Sequence, residues 1–268
     1  MQRRHFHLLV ALSLLKTQFA LANPTERIGV LIVHGKNASN QAPYIAPLKD
    51  ILEREGWLVE FPHFPWSRRR YLEGSWDQAM AEVASAVRKL QDRGATRIVL
   101  VGHSMGCPAA MSHAARGGTA HALVLLAPGH TPSRYYTVPR LRPVRESIDQ
   151  ARALVAAGKG DETQRFDDIN QGRQQPVIAT PKNFLSYFDP ESDADMGVTA
   201  PRIPAGVPVL TAIGEEDPLF KHVREYFVDK LPPNPNSILL EVKGGHTDTP
   251  LEVSDQMVAW IKKAVAAR

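Results

Sequence analysis

The sequence predicts an α/β fold, with a mostly parallel twisted sheet and helices on both faces. Short apolar runs of strand length alternate with segments whose apolar residues recur at helical spacing. The short runs are apolar at nearly every position, which is typical of strands that are covered on both faces. Strands separated by helices imply parallel neighbours in one sheet. With 268 residues, 43% of them hydrophobic, the chain is long enough for one substantial core.

The order of the predicted elements follows from these patterns. Strands are predicted over residues 28–33, 57–61, 97–101, 122–127, 207–213 and 238–242. Helices are predicted between them from apolar residues at helical spacing, over about 44–56 and 76–94, after Ser104, and over 251–265.

One long segment, at about 131–203, breaks this alternation. It is rich in proline and arginine, and no strong strand is expected in it. One helix is predicted over about 143–158 and a second, short one around 184–188. Long segments inside compact domains are usually functional, so we interpret it as a cap over the carboxyl edge of the sheet. The alternative is a long surface excursion with no catalytic role.

Ser104 lies in the run Gly102-His103-Ser104-Met105-Gly106, between a predicted strand and a predicted helix. A strand that turns directly into a helix must bend sharply, and glycines on both sides permit that bend. Such a turn exposes the serine oxygen at the carboxyl edge of the sheet, where it is a candidate nucleophile. The alternative is an ordinary strand-turn-helix connection with an incidental serine.

A serine hydroxyl needs a base, and the base needs an orienting group. His246 follows the last predicted strand in a glycine-rich loop, and Asp217 follows the strand before it. Open parallel sheets bind ligands at the edge where these strands end. Glu215 and Glu216 are neighbours of Asp217, and either is an alternative for the orienting acid.

The developing oxyanion also needs hydrogen-bond donors. The turn after Ser104 presents the backbone N–H of Met105. A second donor is expected from the loop after the first strand, where Gly35 lets the backbone turn and Lys36 presents its N–H. This role does not involve the side chain of Lys36, which can face solvent.

With these pieces the chain resembles the α/β-hydrolase superfamily, from about residue 27 to 268. The matching positions are His34-Gly35, the run around Ser104, Asp217 and His246. The resemblance implies a Ser104–His246–Asp217 triad, an oxyanion hole from the amides of Lys36 and Met105, and a cap at the 131–203 insertion. The family's opening antiparallel hairpin is expected to be missing here, which implies a smaller, mostly parallel sheet.

The remaining candidates near these motifs have structural interpretations. His103 is expected to point away from the nucleophile and to be structural, and His34 is expected to stabilise a turn. Asp248 is expected to stabilise the loop that carries His246. Cys107, the only cysteine, is expected to be a small core residue, so no intramolecular disulfide is available.

Two basic clusters are candidates for substrate binding. Arg68, Arg69 and Arg70 follow the second strand, whereas Arg134, Arg140, Arg142 and Arg145 lie in the insertion. Arginines near the active edge can bind an anionic substrate through paired hydrogen bonds. The stronger alternative is a solvated face paired with nearby acids. Arg68, Arg70 and His130 are retained as weak substrate-binding candidates.

Residues 1–22 have the layout of a secretory signal peptide. Two arginines precede the apolar stretch 8–15, and cleavage is expected after Ala22. The segment carries three basic residues and no acidic one, so its removal lowers the formal net charge from +4 to +1. The mature domain, residues 23–268, is therefore expected to be periplasmic or secreted, with no stable membrane anchor and no affinity for nucleic acid.

These observations predict a serine hydrolase that cleaves a carboxylic ester or thioester of a small molecule through an acyl-enzyme on Ser104. An acyltransferase that uses the same residues is a close alternative, and a non-catalytic binding protein of the same fold is another. No metal-ligand spacing is seen, so neither a metal nor a cofactor is expected. The sequence gives no indication of oligomeric state.

Overall fold

A computed structural model describes residues 26–266 of the chain. The signal peptide expected at residues 1–22, with its cleavage point after Ala22, lies outside the described residues. Within the described part of the chain, no helix is both long enough and apolar enough to cross a membrane.

Within residues 26–266, six strands form one sheet in which every neighbouring pair is parallel, and two more form a separate antiparallel hairpin. In chain order the strands are β1 (Ile28–Val33), β2 (Leu58–Glu60), β3 (Arg97–Ser104), β4 (Ala122–Pro128), β5 (Gln164–Asn170), β6 (Arg173–Ala179), β7 (Val209–Gly214) and β8 (Ile238–Val242). The sheet order is β2-β1-β3-β4-β7-β8, and β5 pairs with β6. The predicted α/β class with a mostly parallel sheet is confirmed.

Helices connect the strands and pack on both faces of the sheet. They are α1 (Pro47–Arg54), α2 (Trp76–Asp92), α3 (Gly106–Ala115), α4 (Pro132–Thr137), α5 (Arg142–Ala156), α6 (Pro181–Phe188), α7 (Met196–Thr199), α8 (Val223–Tyr226), α9 (Thr249–Glu252) and α10 (Ser254–Ala266). The start of α2 is fixed by a capping box, because Ser75 accepts from the backbone of Gln78 and the Gln78 side chain accepts from the backbone of Ser75. The single closing helix predicted over 251–265 is divided here into α9 and α10.

The core has two parts, one on each face of the sheet. Alternate residues of β1 divide between them, because successive side chains of a strand point to opposite faces. Leu31 and Val33 pack on the side of α2 and α3, whereas Val30 and Ile32 pack on the side of α1 and α10. All four are fully buried, as predicted for a strand covered on both faces. The sheet is therefore a rigid support for the loops at its carboxyl edge.

The segment between β4 and β7 contains the predicted insertion. Its helices α5 and α6 match the two predicted ones, but the expectation that the insertion lacks strands is wrong, because β5 and β6 form a hairpin there. The sequence of β5 is mostly polar, and only Phe166 and Asp168 are buried in it. Burial of a charged residue in a strand depends on a partner elsewhere in the chain, which a local pattern does not reveal.

Aromatic stacking holds this hairpin to the helices of the insertion. The ring of Phe166 stacks on Phe184 at 4.4 Å between centroids, and Phe184 stacks on Phe188 at 4.3 Å. Aromatic pairs of this kind stabilise by about 0.5–1.5 kcal/mol beyond their buried area. The hairpin is thus packed onto α6 and has apolar contacts of its own.

Candidate active site

Ser104 occupies a strained turn at the carboxyl end of β3. Its φ is +54°, in the left-handed region that non-glycine residues rarely adopt. A Cβ at Gly102 would collide with the carbonyl of Gly106, and a Cβ at Gly106 would collide with the carbonyl of Val33. Both glycines are therefore required for the strand to turn directly into α3. The turn places Ser104 on the wall of a cavity above the sheet edge.

His246 and Asp217 are joined by a short hydrogen bond on the same wall. His246 Nδ1 lies 2.6 Å from Asp217 Oδ2, so the imidazole donates to the carboxylate and its Nε2 is left for another partner. The other carboxylate oxygen of Asp217 accepts from the backbone N–H of Leu219 at 2.8 Å. The Asp217 side chain is 2% exposed and that of His246 is 17% exposed, so the pair is largely shielded from water.

Backbone hydrogen bonds hold the loops of these two residues together. The N–H of Glu215 donates to Val242 O at 2.8 Å, and that of Glu216 donates to Gly244 O at 3.0 Å. The side chain of Asp248 accepts from the N–H of Gly245 at 2.8 Å, within the loop that carries His246. The structure thus brings Asp217 onto the imidazole, whereas Glu216 lies exposed on the cavity wall.

Gly129, directly after β4, fits between the serine and the histidine. A Cβ on Gly129 would lie 2.8 Å from Ser104 Oγ and 3.2 Å from His246 Cε1. The first distance is too short for a methyl group and the second is tight, so an added Cβ would displace the serine hydroxyl or the imidazole. Sequence reasoning missed this residue, although a glycine just past a strand at the active edge was a usable signal.

His103, the neighbour of Ser104, supports the loop of His246 from behind. Its Nε2–H donates to the backbone carbonyl of His246 at 3.0 Å, and the two rings lie 5.1 Å apart. Burial, with a smaller contribution from the charge of His246, lowers the pKa of His103 to about 3. His103 is therefore a neutral structural group at ordinary pH.

His34 shapes the loop after β1. Its Nε2 accepts from the N–H of Phe64 at 3.2 Å, so its Nδ1 carries the proton and donates to Gly35 O at 2.9 Å. Burial lowers its pKa to about 4, which keeps this arrangement neutral. A Cβ on Gly35 would come 2.9 Å from Ser104 Cβ, so the loop passes directly beside the serine.

Lys36 and Met105 are the two residues whose backbone N–H groups are expected to stabilise an oxyanion. Lys36 lines the cavity with Ser104, and Met105 is the buried residue between Ser104 and α3. Their role as oxyanion donors stays a prediction.

The side chain of Lys36 does not face solvent. It is 3% exposed, and its Nζ lies 2.7 Å and 2.9 Å from the two carboxylate oxygens of Asp168 on β5. The same carboxylate accepts hydrogen bonds from Tyr71 OH and, at 3.1 Å, from Gln175 Nε2. The Lys36 ammonium also lies 5.2 Å from the centre of the Phe188 ring. A charge with so many partners is stable inside the protein, which the local sequence did not reveal.

The pKa values of this pair follow from competition between burial and charge. Burial is the largest single cause and opposes ionisation of both groups, but the opposite charge of the partner and the hydrogen bonds to the pair together outweigh it. The pKa of Lys36 is therefore raised and that of Asp168 is lowered, so both remain charged.

The cavity above Ser104 has a volume of about 470 Å³. The strand-end loops and the insertion both contribute to its wall. The insertion and the residues leading into it supply His130, Thr131, Arg134, Tyr135, Arg140, Leu141, Ile169, Asn170, Gln171 and Gly172. The insertion therefore covers the carboxyl edge of the sheet, as a cap does.

Of the three weak substrate-binding candidates, the structure places only His130 on this wall. Its Nε2–H donates to Tyr187 O at 2.7 Å, and burial, followed by the charge of Lys36, lowers its pKa to about 3. Arg68 and Arg70 are not among the described residues that line the cavity. Arg70 instead makes a paired contact with Glu82, at 2.8 Å and 2.6 Å.

Cys107 is buried in α3, three residues past Ser104. Its Sγ lies 3.3 Å from Gly102 O, and burial raises the pKa of the thiol well above its usual value. A buried thiol with a raised pKa is a poor nucleophile. Among residues 26–266, no group of three histidine, cysteine, aspartate or glutamate side chains is arranged to hold a metal ion.

The fold and the cavity together define a class of protein. Its members have a parallel α/β sheet whose carboxyl edge carries a serine beside a hydrogen-bonded histidine–aspartate pair. The model of the Alpha/beta hydrolase family matches residues 30–260. The chain therefore belongs to the Alpha/beta hydrolase family. A comparison with curated proteins finds no match.

Solved structures of esterases and lipases share this fold. One reported for LipS and LipT, two metagenome-derived lipolytic enzymes, aligns with a TM-score of 0.63 at 18% identity, over 89% of this chain and 94% of that chain. The monoacylglycerol lipase of Paleococcus ferrophilus aligns with a TM-score of 0.63 at 20% identity, over 88% of this chain and 94% of that chain. Est1E from Butyrivibrio proteoclasticus, with ferulic acid bound, aligns with a TM-score of 0.61 at 16% identity, over 91% of this chain and 92% of that chain. Identities this low establish the fold alone.

Proposed function

We propose that this protein is a serine hydrolase that cleaves a carboxylic ester or thioester through an acyl-enzyme on Ser104. The observation that carries the proposal is the 2.6 Å hydrogen bond from His246 Nδ1 to Asp217 Oδ2, in a cavity whose wall also includes Ser104. This bond fixes the imidazole tautomer that can accept a proton at Nε2. The esterases and lipases with similar folds support an ester as the substrate class.

The proposed reaction begins when Ser104 Oγ attacks the carbonyl carbon of the substrate. His246 Nε2 takes the hydroxyl proton as the new C–O bond forms, and Asp217 stabilises the resulting imidazolium. The N–H groups of Lys36 and Met105 stabilise the oxyanion of the tetrahedral intermediate. His246 then returns the proton to the departing alcohol or thiol, which leaves an acyl group on Ser104.

Deacylation repeats the same steps with water as the nucleophile. His246 removes a proton from the water, the second tetrahedral intermediate collapses, and the proton returns to Ser104 Oγ as the carboxylic acid leaves. An acyltransferase would differ only in accepting an alcohol in place of water at this stage.

The experiment is a screen of 4-nitrophenyl esters and acyl thioesters of increasing chain length. Wild type is expected to release acid from at least one of them, and Ser104→Ala is expected to lose that activity. Ser85→Ala on α2 is the matched control and should retain it, because Ser85 is not among the described residues that line the cavity. Absence of turnover by wild type across the panel would instead favour the non-catalytic binding protein, and ester products in added alcohol would favour acyl transfer.

The proposal includes export from the cytoplasm. The basic start, short apolar stretch and small residues before Ala22 support cleavage by a signal peptidase. Amino-terminal sequencing of protein recovered from the periplasm or the medium should begin at Asn23. Recovery in the cytoplasm with residues 1–22 retained would contradict this part of the proposal.

A further inference from the structure

Two arginines on the cavity wall form no ion pair with any residue in the described part of the chain. Arg134, on α4, and Arg140 both line the cavity. Among residues 26–266, neither guanidinium makes an ion pair or a hydrogen bond. Other arginines of the insertion are paired, since Arg142 contacts Glu146 at 3.0 Å and Arg152 contacts Asp189 at 2.9 Å. The two cavity arginines therefore have free donors.

The surroundings of Arg134 disfavour its charge in two ways that a bound anion would relieve. Burial is the larger cause that lowers the pKa of Arg134, and the positive charge of Arg140 adds to it. Tyr226 and Glu225 act in the opposite direction, but Glu225 is exposed to solvent. Neither of them makes a hydrogen bond to the guanidinium. An anion between the two arginines would supply the missing counter-charge.

The other charges around the cavity do not neutralise the two arginines. The Lys36 ammonium is bound to Asp168, and the Asp217 carboxylate is bound to His246. Glu216 is the remaining acidic residue on the wall, and it lies exposed in the loop after β7, whereas the arginines belong to the insertion. The surplus charge on the cap side of the cavity is therefore positive.

Polar groups of the insertion surround the same part of the wall. The end of β5 and the turn after it contribute Asn170 and Gln171, and Thr131 precedes α4. Leu141 and Ile169 line the same wall, so it fits a substituent in which an apolar spacer carries a polar group.

We propose that the substrate carries a carboxylate, and that Arg134 and Arg140 bind it while Ser104 attacks the ester or thioester carbonyl. The planar guanidinium presents paired N–H donors that match the two oxygens of a carboxylate. This inference rests on the proposed function, because it specifies the substrate class of that site. The insertion thus selects the substrate, and the strand-end loops carry out the reaction.

The test compares matched esters that differ in one charge. For an acid on the acyl side, 4-nitrophenyl hydrogen glutarate is compared with 4-nitrophenyl pentanoate. For an acid on the leaving group, 3-acetoxybenzoate is compared with phenyl acetate. For each pair, the measured quantity is kcat/KM for the acid ester divided by kcat/KM for the neutral ester. In one of the two pairs, the variant Arg134→Gln/Arg140→Gln should lower this ratio by about 10- to 100-fold, mainly by raising KM for the acid ester.

Arg142→Gln is the matched control, because Arg142 is paired with Glu146 and is not among the described residues on the cavity wall. It should leave both ratios at the wild-type value. Equal effects of the double variant on acid and neutral esters in both pairs would overturn the proposal. Unchanged melting temperatures show that the variants are folded.

A binding measurement separates this proposal from the proposed function. Isothermal titration calorimetry measures the binding of glutarate to Ser104→Ala and requires no turnover. Binding that disappears when Arg134 and Arg140 are also changed to glutamine supports the carboxylate site, even if no ester is hydrolysed. Glutarate binding that survives these two changes overturns it, even if the enzyme hydrolyses esters.

Discussion

Lys36 Nζ lies 2.7 Å from Asp168 Oδ1, and the pair joins the loop beside Ser104 to the hairpin of the insertion. The two residues are 132 positions apart in the chain, and their side chains are 3% and 0% exposed. Gly35, the neighbour of Lys36, packs against Ser104. The buried ion pair therefore couples the position of the cap to the geometry around the candidate nucleophile.

Replacement of Asp168 by asparagine should destabilise the protein strongly. It leaves the buried Lys36 ammonium without its counter-charge, and breaking a buried pair in this way typically costs about 3–5 kcal/mol. Urea unfolding followed by circular dichroism measures the loss. Asp161→Asn is the matched control, because it removes a Lys–Asp pair with the same 2.7 Å separation that is 58% and 80% exposed.

The control should lose no more than about 1 kcal/mol, since exposed pairs contribute little. Similar losses in the two variants would contradict a structural role for the buried pair. The effect also depends on pH. Because the pKa of Asp168 is lowered in the folded state, its contribution is fully present above about pH 4 and is lost as the pH falls through the lowered value.

Asp217→Asn should lower kcat by about 10⁴-fold, because an amide favours the wrong imidazole tautomer. KM should change little, since the carboxylate is bonded to His246 and to the backbone of Leu219. Glu215→Gln and Glu216→Gln serve as controls on the same loop and should retain most of the activity. A larger loss in either control would transfer the orienting role to that glutamate.

Gly129→Ala should lower kcat/KM by about 10²-fold without unfolding the protein. The added methyl group would force Ser104 Oγ and His246 Cε1 apart, and small displacements of reacting groups have effects of this size. The control is Gly245→Ala, where the nearest atom to a new Cβ is 3.6 Å away. Gly245 is adjacent to His246, so comparable losses in the two variants would contradict the steric explanation.

The dependence of kcat/KM on pH between 5 and 8 should fit a single ionisation. Burial lowers the pKa of His34 to about 4 and those of His103 and His130 to about 3, so these three imidazoles are neutral throughout this range. None of the three should therefore add an ionisation to the profile, and its slope should not exceed the one that a single general base produces. A slope of two would show that a second group near the reaction titrates.

The sheet, most helices and the order of the candidate residues were predictable because they depend on local patterns. The apolar run of β3 followed by Gly-x-Ser-x-Gly indicates both the strand and the turn at Ser104. Asp217 and His246 were predicted as partners because each follows its own strand. Their hydrogen bond then depends only on the parallel sheet bringing the two strand ends together.

The features missed depend on contacts between distant residues. The polar sequence of β5 does not resemble a strand, and Asp168 is buried only because Lys36, Tyr71 and Gln175 bind it. For the same reason the local sequence gave no sign that the Lys36 side chain turns inward. The basic clusters had equivalent compositions, and only the fold distinguishes paired Arg70 from the unpaired arginines of the cavity.

Covalent labelling tests the central claim most directly, because it reports on the nucleophile without requiring the natural substrate. An alkyl phosphonofluoridate should add one phosphonyl group to wild type, and peptide mass spectrometry should locate it on Ser104. Ser104→Ala should remain unmodified under the same conditions. Labelling that persists in Ser104→Ala, or that falls on another residue of wild type, would contradict the assignment of Ser104 as the nucleophile.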